Sequence, residues 1–471
     1  MADPRADLIA LYGGAVARSG EGVTVRDPAV LAAEPTDRLV WEAVFGEPAT
    51  RDAARWLLWE LGQAVGARPA SIAPVYFARG RGECAGFTVP AINIRMLAYD
   101  SARAVFRAAK ARNAGAILLE IARSEIAYTE QRPAEYVAVM IGAALREGHG
   151  LPIFIQGDHC QVNAKKYQAD PKAEVEEVKR LIQEEVGAGF YNIDVDTSTL
   201  VDLSKDTLLE QQRLNCEHAA EITAVIREIE PAGFSVSVGA EIGEVGHKNS
   251  TVEELRAFMD GYIPALRRVG DLEGISKISV QTGTSHGGVV LPDGSIAKVK
   301  LDLDALAALS KVAREEYGMA GAVQHGASTL PPDAFGNFAR LETAEIHLAT
   351  NFQSLVFDHQ ALPAELRQRM YAWLDANAQS EKKAGDTPEQ FYYKARKKAI
   401  GPFKREVWGL PAAARAAIGA DLERTFGFLF DQLQVAGTAD LVRRLVRVPY
   451  QSHASLERAL VTAEDDAEAG E

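Results

Sequence analysis

The chain has 471 residues, 47% of them hydrophobic and 25% charged, which is enough to bury a large core and more than a single ordinary domain needs. Its net charge of −14 argues against a nucleic-acid surface, which needs a basic stripe. Three cysteines, Cys84, Cys160 and Cys216, lack CxxC spacing and so point to neither a disulfide framework nor a thiolate zinc site.

Residues 1–85 read as an N-terminal helical extension, because Trp41, Phe45, Trp56, Leu57, Trp59 and Leu61 fall at amphipathic helical spacing. The opening MADPRADLIALYGG has no continuous apolar core of signal-peptide length, and no stretch approaches the roughly 18 apolar residues of a membrane span. A cytoplasmic protein with no membrane partner is the expectation.

From residue 86 the rhythm changes. Strand-like runs follow at 87–94 (FTVPAINI), 116–121, 151–156, 190–195, 234–241, 275–280, 321–325 and 344–350, separated by charged segments of helical period such as SARAVFRAAKARNAG. This alternation predicts an α/β fold, a (β/α)8 TIM barrel over 86–360. An open doubly wound sheet commonly carries a glycine-rich turn after an early strand, whereas FTVPAINI runs into RMLAYDS. Residues 361–450 read as a C-terminal helical extension and 451–471 as an acidic, flexible tail.

Four of the strand-like segments run into chemistry-bearing residues: IFIQGDH at Asp158 and His159, SVSVGAE at Glu241, ISVQTGTSH at His286, and GAVQH at His325. Barrel enzymes place catalytic groups where strands emerge at one face. Three histidines so delivered match the three protein ligands of a catalytic zinc ion with one position left open. His286 and His325 are each followed by glycine, which lets the backbone approach a ligand closely.

Over most of residues 86–410 the chain resembles the class II, metal-dependent fructose-bisphosphate aldolases. The resemblance is carried by FTVPAINI, GDHC (157–160), VDLSKDTLLEQ (201–211), GAEIGEVG (239–246), TSHGG (284–288), QHGAS (324–328) and FYYKARKKAIGPFKREVW, in that order. It implies that His159, His286 and His325 bind Zn2+, or Co2+, Mn2+ or Fe2+ in its place, with Glu241 as an auxiliary ligand. It also implies that Asp158 moves a proton at the substrate C4 hydroxyl. Gly287, Gly326 and Ser328 would cradle a phosphate, Asn93 would contact substrate, and Arg405, in the basic run from Lys394, would reach the far phosphate. In the family that arginine often comes from a neighbouring subunit, which implies a homodimer or higher homo-oligomer.

The sequence departs from the family at three places, one of them after the second strand, where the expected serine falls near Ala122 with Arg123 and Ser124 following. The mobile-loop glutamate pair falls near HKNS (247–250), where no carboxylate stands, leaving His247 as the candidate proton carrier. In the last strand, EIHLATNFQ puts His347 where the family has asparagine and Ala349 where it has aspartate, while Thr350 and Asn351 keep polar character. The expected activity is reversible cleavage of a ketose phosphate, most simply fructose 1,6-bisphosphate to dihydroxyacetone phosphate and glyceraldehyde 3-phosphate. The alternatives are a metal-dependent epimerase or isomerase working through an enediolate, and a non-catalytic aldolase-like subunit.

Overall fold

Short apolar runs buried on both faces favour parallel strands covered by helices. In the structure, a computed structural model, which describes residues 3–243, 248–283, 291 and 301–453, all eight runs form such strands. They are β1 (Val89–Asn93), β2 (Leu118–Ala122), β3 (Ile153–Gln161), β4 (Asn192–Asp196), β5 (Ser237–Glu241), β6 (Lys277–Val280), β7 (Ala322–Gln324) and β8 (Glu345–Leu348). Each pairs in parallel with its neighbour in chain order, and β8 returns to β1 through Glu345 opposite Val89 and His347 opposite Ala91. The sheet is closed and has the (β/α)8 barrel topology. Helices Ala98–Arg112, Pro133–Arg146, Pro171–Ala188, Leu208–Ile229, Val252–Val269 and Leu303–Tyr317 follow successive strands.

The N-terminal region is mostly helical, with helices Pro4–Ala10, Glu34–Phe45, Pro48–Val65 and Ala73–Gly80, but it also holds a hairpin, Val16–Ser19 with Gly22–Val25. Those strands bury only Val16 and Gly22, with Val23 half-buried, too little for a hydrophobic pattern to betray them. Pro69 and Ala70 lie alongside the start of β3. Asn192 ties them in: its Nδ2 donates to Ala70 O (3.1 Å) and Ile155 O (2.9 Å), and its Oδ1 accepts from Ile72 N (2.9 Å). Helix Ala73–Gly80 sends the buried Tyr76 hydroxyl to Glu345 of β8, so this region caps the barrel floor.

The C-terminal helix Ala412–Gln432 packs on Ala98–Arg112, with Arg107 Nε 2.6 Å from Glu423 and Arg112 bidentate to Asp431 at 2.8 and 2.9 Å. The two extensions also meet each other, Phe45 edge-on to Trp408 with centroids 5.4 Å apart. Among the described residues, no helix is long and apolar enough to cross a membrane.

Candidate active site

Successive residues of a regular strand face opposite sides, so Asp158 and His159 cannot both look into the barrel without a break in the pleat. β3 supplies it. Gly157 pairs with Ile193 and Cys160 with Val195, so one extra residue is accommodated in β3, and His159 takes φ +45°. A left-handed non-glycine residue costs roughly 1–3 kcal/mol and persists where the surroundings enforce it. Here it puts both side chains on a cavity of about 1010 Å³ at the C-terminal ends of the strands.

Donor atoms of His159, Glu241 and His325 lie within 4.8 Å of one another. His159 Nδ1 is 3.1 Å from Asp196 Oδ2 and 3.5 Å from Glu241 Oε2, and the His159 and His325 rings stand 4.4 Å apart. Burial disfavours a charged imidazole at His159, yet Asp158, Asp196 and Glu241 overcome it and hold the pKa well above the ordinary value. Burial, then the nearby Asp196, pushes Glu241 up to about 8 against the pull of His159. Asp196 stays low despite its burial, because His159, Ser198 and Gln161 hydrogen-bond to it. Two imidazoles and a carboxylate in a carboxylate-rich pocket fit a divalent transition metal, and Asp196 is placed to orient His159. Asp196 ends β4 as Glu241 ends β5, so the same strand-end signal marks it, although the strand-like run was read only to Val195.

Beneath this centre the barrel interior is ionic. Lys277 Nζ lies 2.6 Å from Glu345 Oε1, 2.9 Å from Asp194 Oδ1 and 2.7 Å from Gln156 Oε1, with lysine and glutamate fully buried. Burial works against the Lys277 charge, but the two carboxylates raise its pKa above the ordinary lysine value. Gly239 of β5 makes room: a Cβ there would stand 2.3 Å from Asp194 and 2.8 Å from Lys277. His347 joins this layer to the cavity, 2.7 Å from Glu345, 3.0 Å from Glu120 and 3.2 Å from Asp158.

Of the substrate-side residues expected from sequence, His347, Gly326, Ser328 and Thr350 line the cavity. Ser328 Oγ accepts from Ala349 N at 2.7 Å. Asn93 is buried, donating to Glu125 (2.7 Å) and accepting from Arg95 (2.9 Å). Asn351 is exposed in the first turn of helix Thr350–Asp358, outside the cavity lining. Arg405 lies elsewhere: its guanidinium sits over Phe45 at 4.8 Å and donates to Phe45 O at 3.0 Å. The basic run delivers Lys394 and Lys397 to the cavity; Lys394 lies 2.6 Å from Asp386, whereas Lys397 is a half-buried side chain over the Tyr128 ring. Most of its pKa depression comes from burial, and it has no ion pair among the described residues. His247, His286 and Gly287 lie outside the described residues.

The sequence profile of the family described as fructose-bisphosphate aldolase class-II matches residues 81–405. Among solved structures, the chain is similar to the fructuronate-tagaturonate epimerase UxaE from Cohnella laeviribosi, at 13% identity and TM-score 0.55, over 81% of this chain and 86% of that one. It is also similar to a probable tagatose 6 phosphate kinase from Sinorhizobium meliloti, at 17% identity and TM-score 0.50, over 80% and 98%. A fructose-bisphosphate aldolase from Campylobacter jejuni aligns at 19% identity and TM-score 0.45, over 77% and 93%. Identities this low speak to the fold alone. No curated protein matches the chain.

Proposed function

The chain belongs to the class II fructose-bisphosphate aldolase family, and we propose that it is a divalent-metal-dependent lyase that reversibly cleaves a ketose phosphate, with fructose 1,6-bisphosphate the first substrate to test. The observation that carries this reading is the bulge that brings Asp158 beside the His159, Glu241 and His325 donors at the barrel mouth. His159, His325 and Glu241 would hold the ion, with His286 a further ligand implied by the family's pattern. A bound ion there supplies Lewis acidity toward a substrate carbonyl and its neighbouring hydroxyl oxygen.

Asp158 takes the proton of the C4 hydroxyl. As the O–H bond breaks, its electron pair becomes the new aldehyde C=O, and the C3–C4 pair stays with the ketone half. In the condensation direction Asp158 returns the proton. General acid–base help of this kind is worth about 10²–10⁴-fold. Ser328 and the Gly326 backbone flank the position of one phosphate, and Lys397 supplies a positive charge for the anionic far end of the substrate.

A second reading has specific support. His347 faces the same cavity as Asp158 and replaces the family's asparagine, which gives the pocket two proton-transfer groups, as an epimerase of a sugar or sugar acid needs. Proton NMR of metal-loaded protein with fructose 1,6-bisphosphate separates the two. Triose phosphates are the expected products; an epimeric ketose without cleavage would replace the first reading by the second.

A further inference from the structure

The cavity that holds the metal-ligand candidates also has a cationic wall that the metal chemistry does not use. Arg95 stands two residues beyond the end of β1 and lines the cavity, with only 12% of its side chain exposed. Its Nε donates to Asn93 Oδ1 at 2.9 Å, while Asn93 Nδ2 donates to Glu125 Oε2 at 2.7 Å. Glu125 Oε1 in turn pairs with Arg95 Nη2, and Nη1 reaches Gln353 Oε1 at 3.4 Å. Gln131 Nε2 pins the backbone by donating to Arg95 O at 3.0 Å. The guanidinium is held in one orientation by the protein itself.

A guanidinium carries five N–H donors in a planar fork. Three of those on Arg95 are engaged, one by the long contact to Gln353, and the other two have no protein acceptor among the described residues. Glu125 does not depend on Arg95 alone, since Asn93 and the Ala122 amide (2.9 Å) also donate to it. Lys397 stands on the same wall. Its ammonium lies over the Tyr128 ring, 5.9 Å from the centroid, whereas its neighbours in the basic run have carboxylate partners, Lys394 with Asp386 at 2.6 Å and Lys398 with Glu381 at 3.4 Å. Burial depresses the Lys397 pKa, and Lys398 and Arg95 press the same way against Glu381 and Glu125. Two mutually repelling cations facing one cavity are the arrangement that a bound anion completes. Tyr128 belongs to helix Arg123–Thr129 after β2, whereas Gly326 and Ser328 follow β7, with β8 and β1 between. The two groups of residues therefore address different ends of a bound chain.

We infer that Arg95 and Lys397 form an anion-recognition pair that selects substrates carrying a phosphate or a carboxylate at the end remote from Ser328. This rests on the reading of the site as one for a ketose phosphate, and it adds the residue that sets the geometry at the far end. Arg95 supplies directed hydrogen bonds from its fork, and Lys397 a point charge. Both bind; the proton chemistry stays with Asp158.

The test is calorimetric binding, to the Zn2+-loaded full chain, of a hexitol 1,6-bisphosphate, which lacks a carbonyl and cannot be cleaved, and of the same hexitol with the 1-phosphate alone. The wild type is expected to bind the bisphosphate about tenfold more tightly or better. Arg95→Lys, which keeps a charge beside Glu125 but loses the fork, and Lys397→Met should each remove most of that preference while leaving the monophosphate affinity within about twofold. Circular dichroism verifies folding, and Lys397→Met, at a half-buried position, carries the test if Arg95→Lys does not fold. A preference unchanged in the folded variants, or loss of both affinities by the same factor, would overturn the pair. A ketohexuronate bound more tightly than the neutral ketohexose, with that advantage lost in either variant and no binding of the bisphosphate, would support the pair, make its ligand a carboxylate and replace the ketose-phosphate reading. A wild type that binds none of these compounds would overturn both.

Discussion

Replacing Lys277 with methionine removes the one lysine from a buried carboxylate layer while nearly preserving side-chain volume. Glu345 keeps Gln156 Nε2 at 2.9 Å, His347 at 2.7 Å and the Tyr76 hydroxyl. Asp194 fares worse, since its remaining cationic neighbour is His347 at 3.6 Å. Removing one partner of a buried ion pair costs about 3–5 kcal/mol, because the other charge is left uncompensated. Asp194 can escape part of that cost by taking a proton. Burial already raises its pKa against the pull of Lys277, and loss of the lysine raises it further. A carboxyl whose folded pKa lies above its unfolded value stabilises most at low pH and loses that contribution as pH rises through the folded value. The deficit of Lys277→Met should therefore be larger at pH 8 than at pH 5. Urea unfolding of metal-loaded wild type and variant at both values measures it. A deficit under about 1 kcal/mol, or one independent of pH, would refute the assignment of Lys277 as the counter-charge of this layer.

Three further outcomes follow from the same geometry. In metal-free protein, Glu241, pushed up to about 8, should make stability fall as pH rises from 5 to 9, by at most about 1.4 kcal/mol per pH unit; thermal melts of Glu241→Gln should show a shallower fall, and an unchanged slope would contradict the burial argument. Lys397→Ala should raise KM for a bisphosphate about tenfold or more with kcat little changed, consistent with about 1.5–3 kcal/mol for a charged hydrogen bond; equal kinetics would remove Lys397 from the anion site. Gly239→Ala drives a methyl group against Asp194 and Lys277 and should cost about 1–3 kcal/mol by chemical denaturation, whereas a neutral result would mean the ionic layer yields easily.

Strand periodicity located the barrel because every strand is apolar on the face toward the helices, and Val89–Asn93 through Glu345–Leu348 fall inside the runs read from sequence, apart from one extra residue each in β2 and β4 and five in β3. Strand ends marked His159, Glu241 and His325 for the same reason. The extension of β3 could not be read, since a bulge changes the facing of Asp158 and His159 without changing the residue types. Lys277, Asp194 and Glu345 were hidden for a different reason. A lone charge inside an apolar run looks like a solvent-facing residue until closure of the sheet brings three such charges together. Within one chain Arg405 stacks on Phe45 outside the cavity, while Lys394 and Lys397 of the same basic run line it, a distinction that motif position alone does not make.

A metal ion held by His159, Glu241 and His325 next to Asp158 is the core of the proposed function. Crystals grown with Zn2+ and measured across the zinc absorption edge test it directly. An anomalous peak is expected within bonding distance of His159, His325 and the Glu241 carboxylate, at the C-terminal mouth of the barrel. Zinc bound only at sites remote from these three side chains would contradict it.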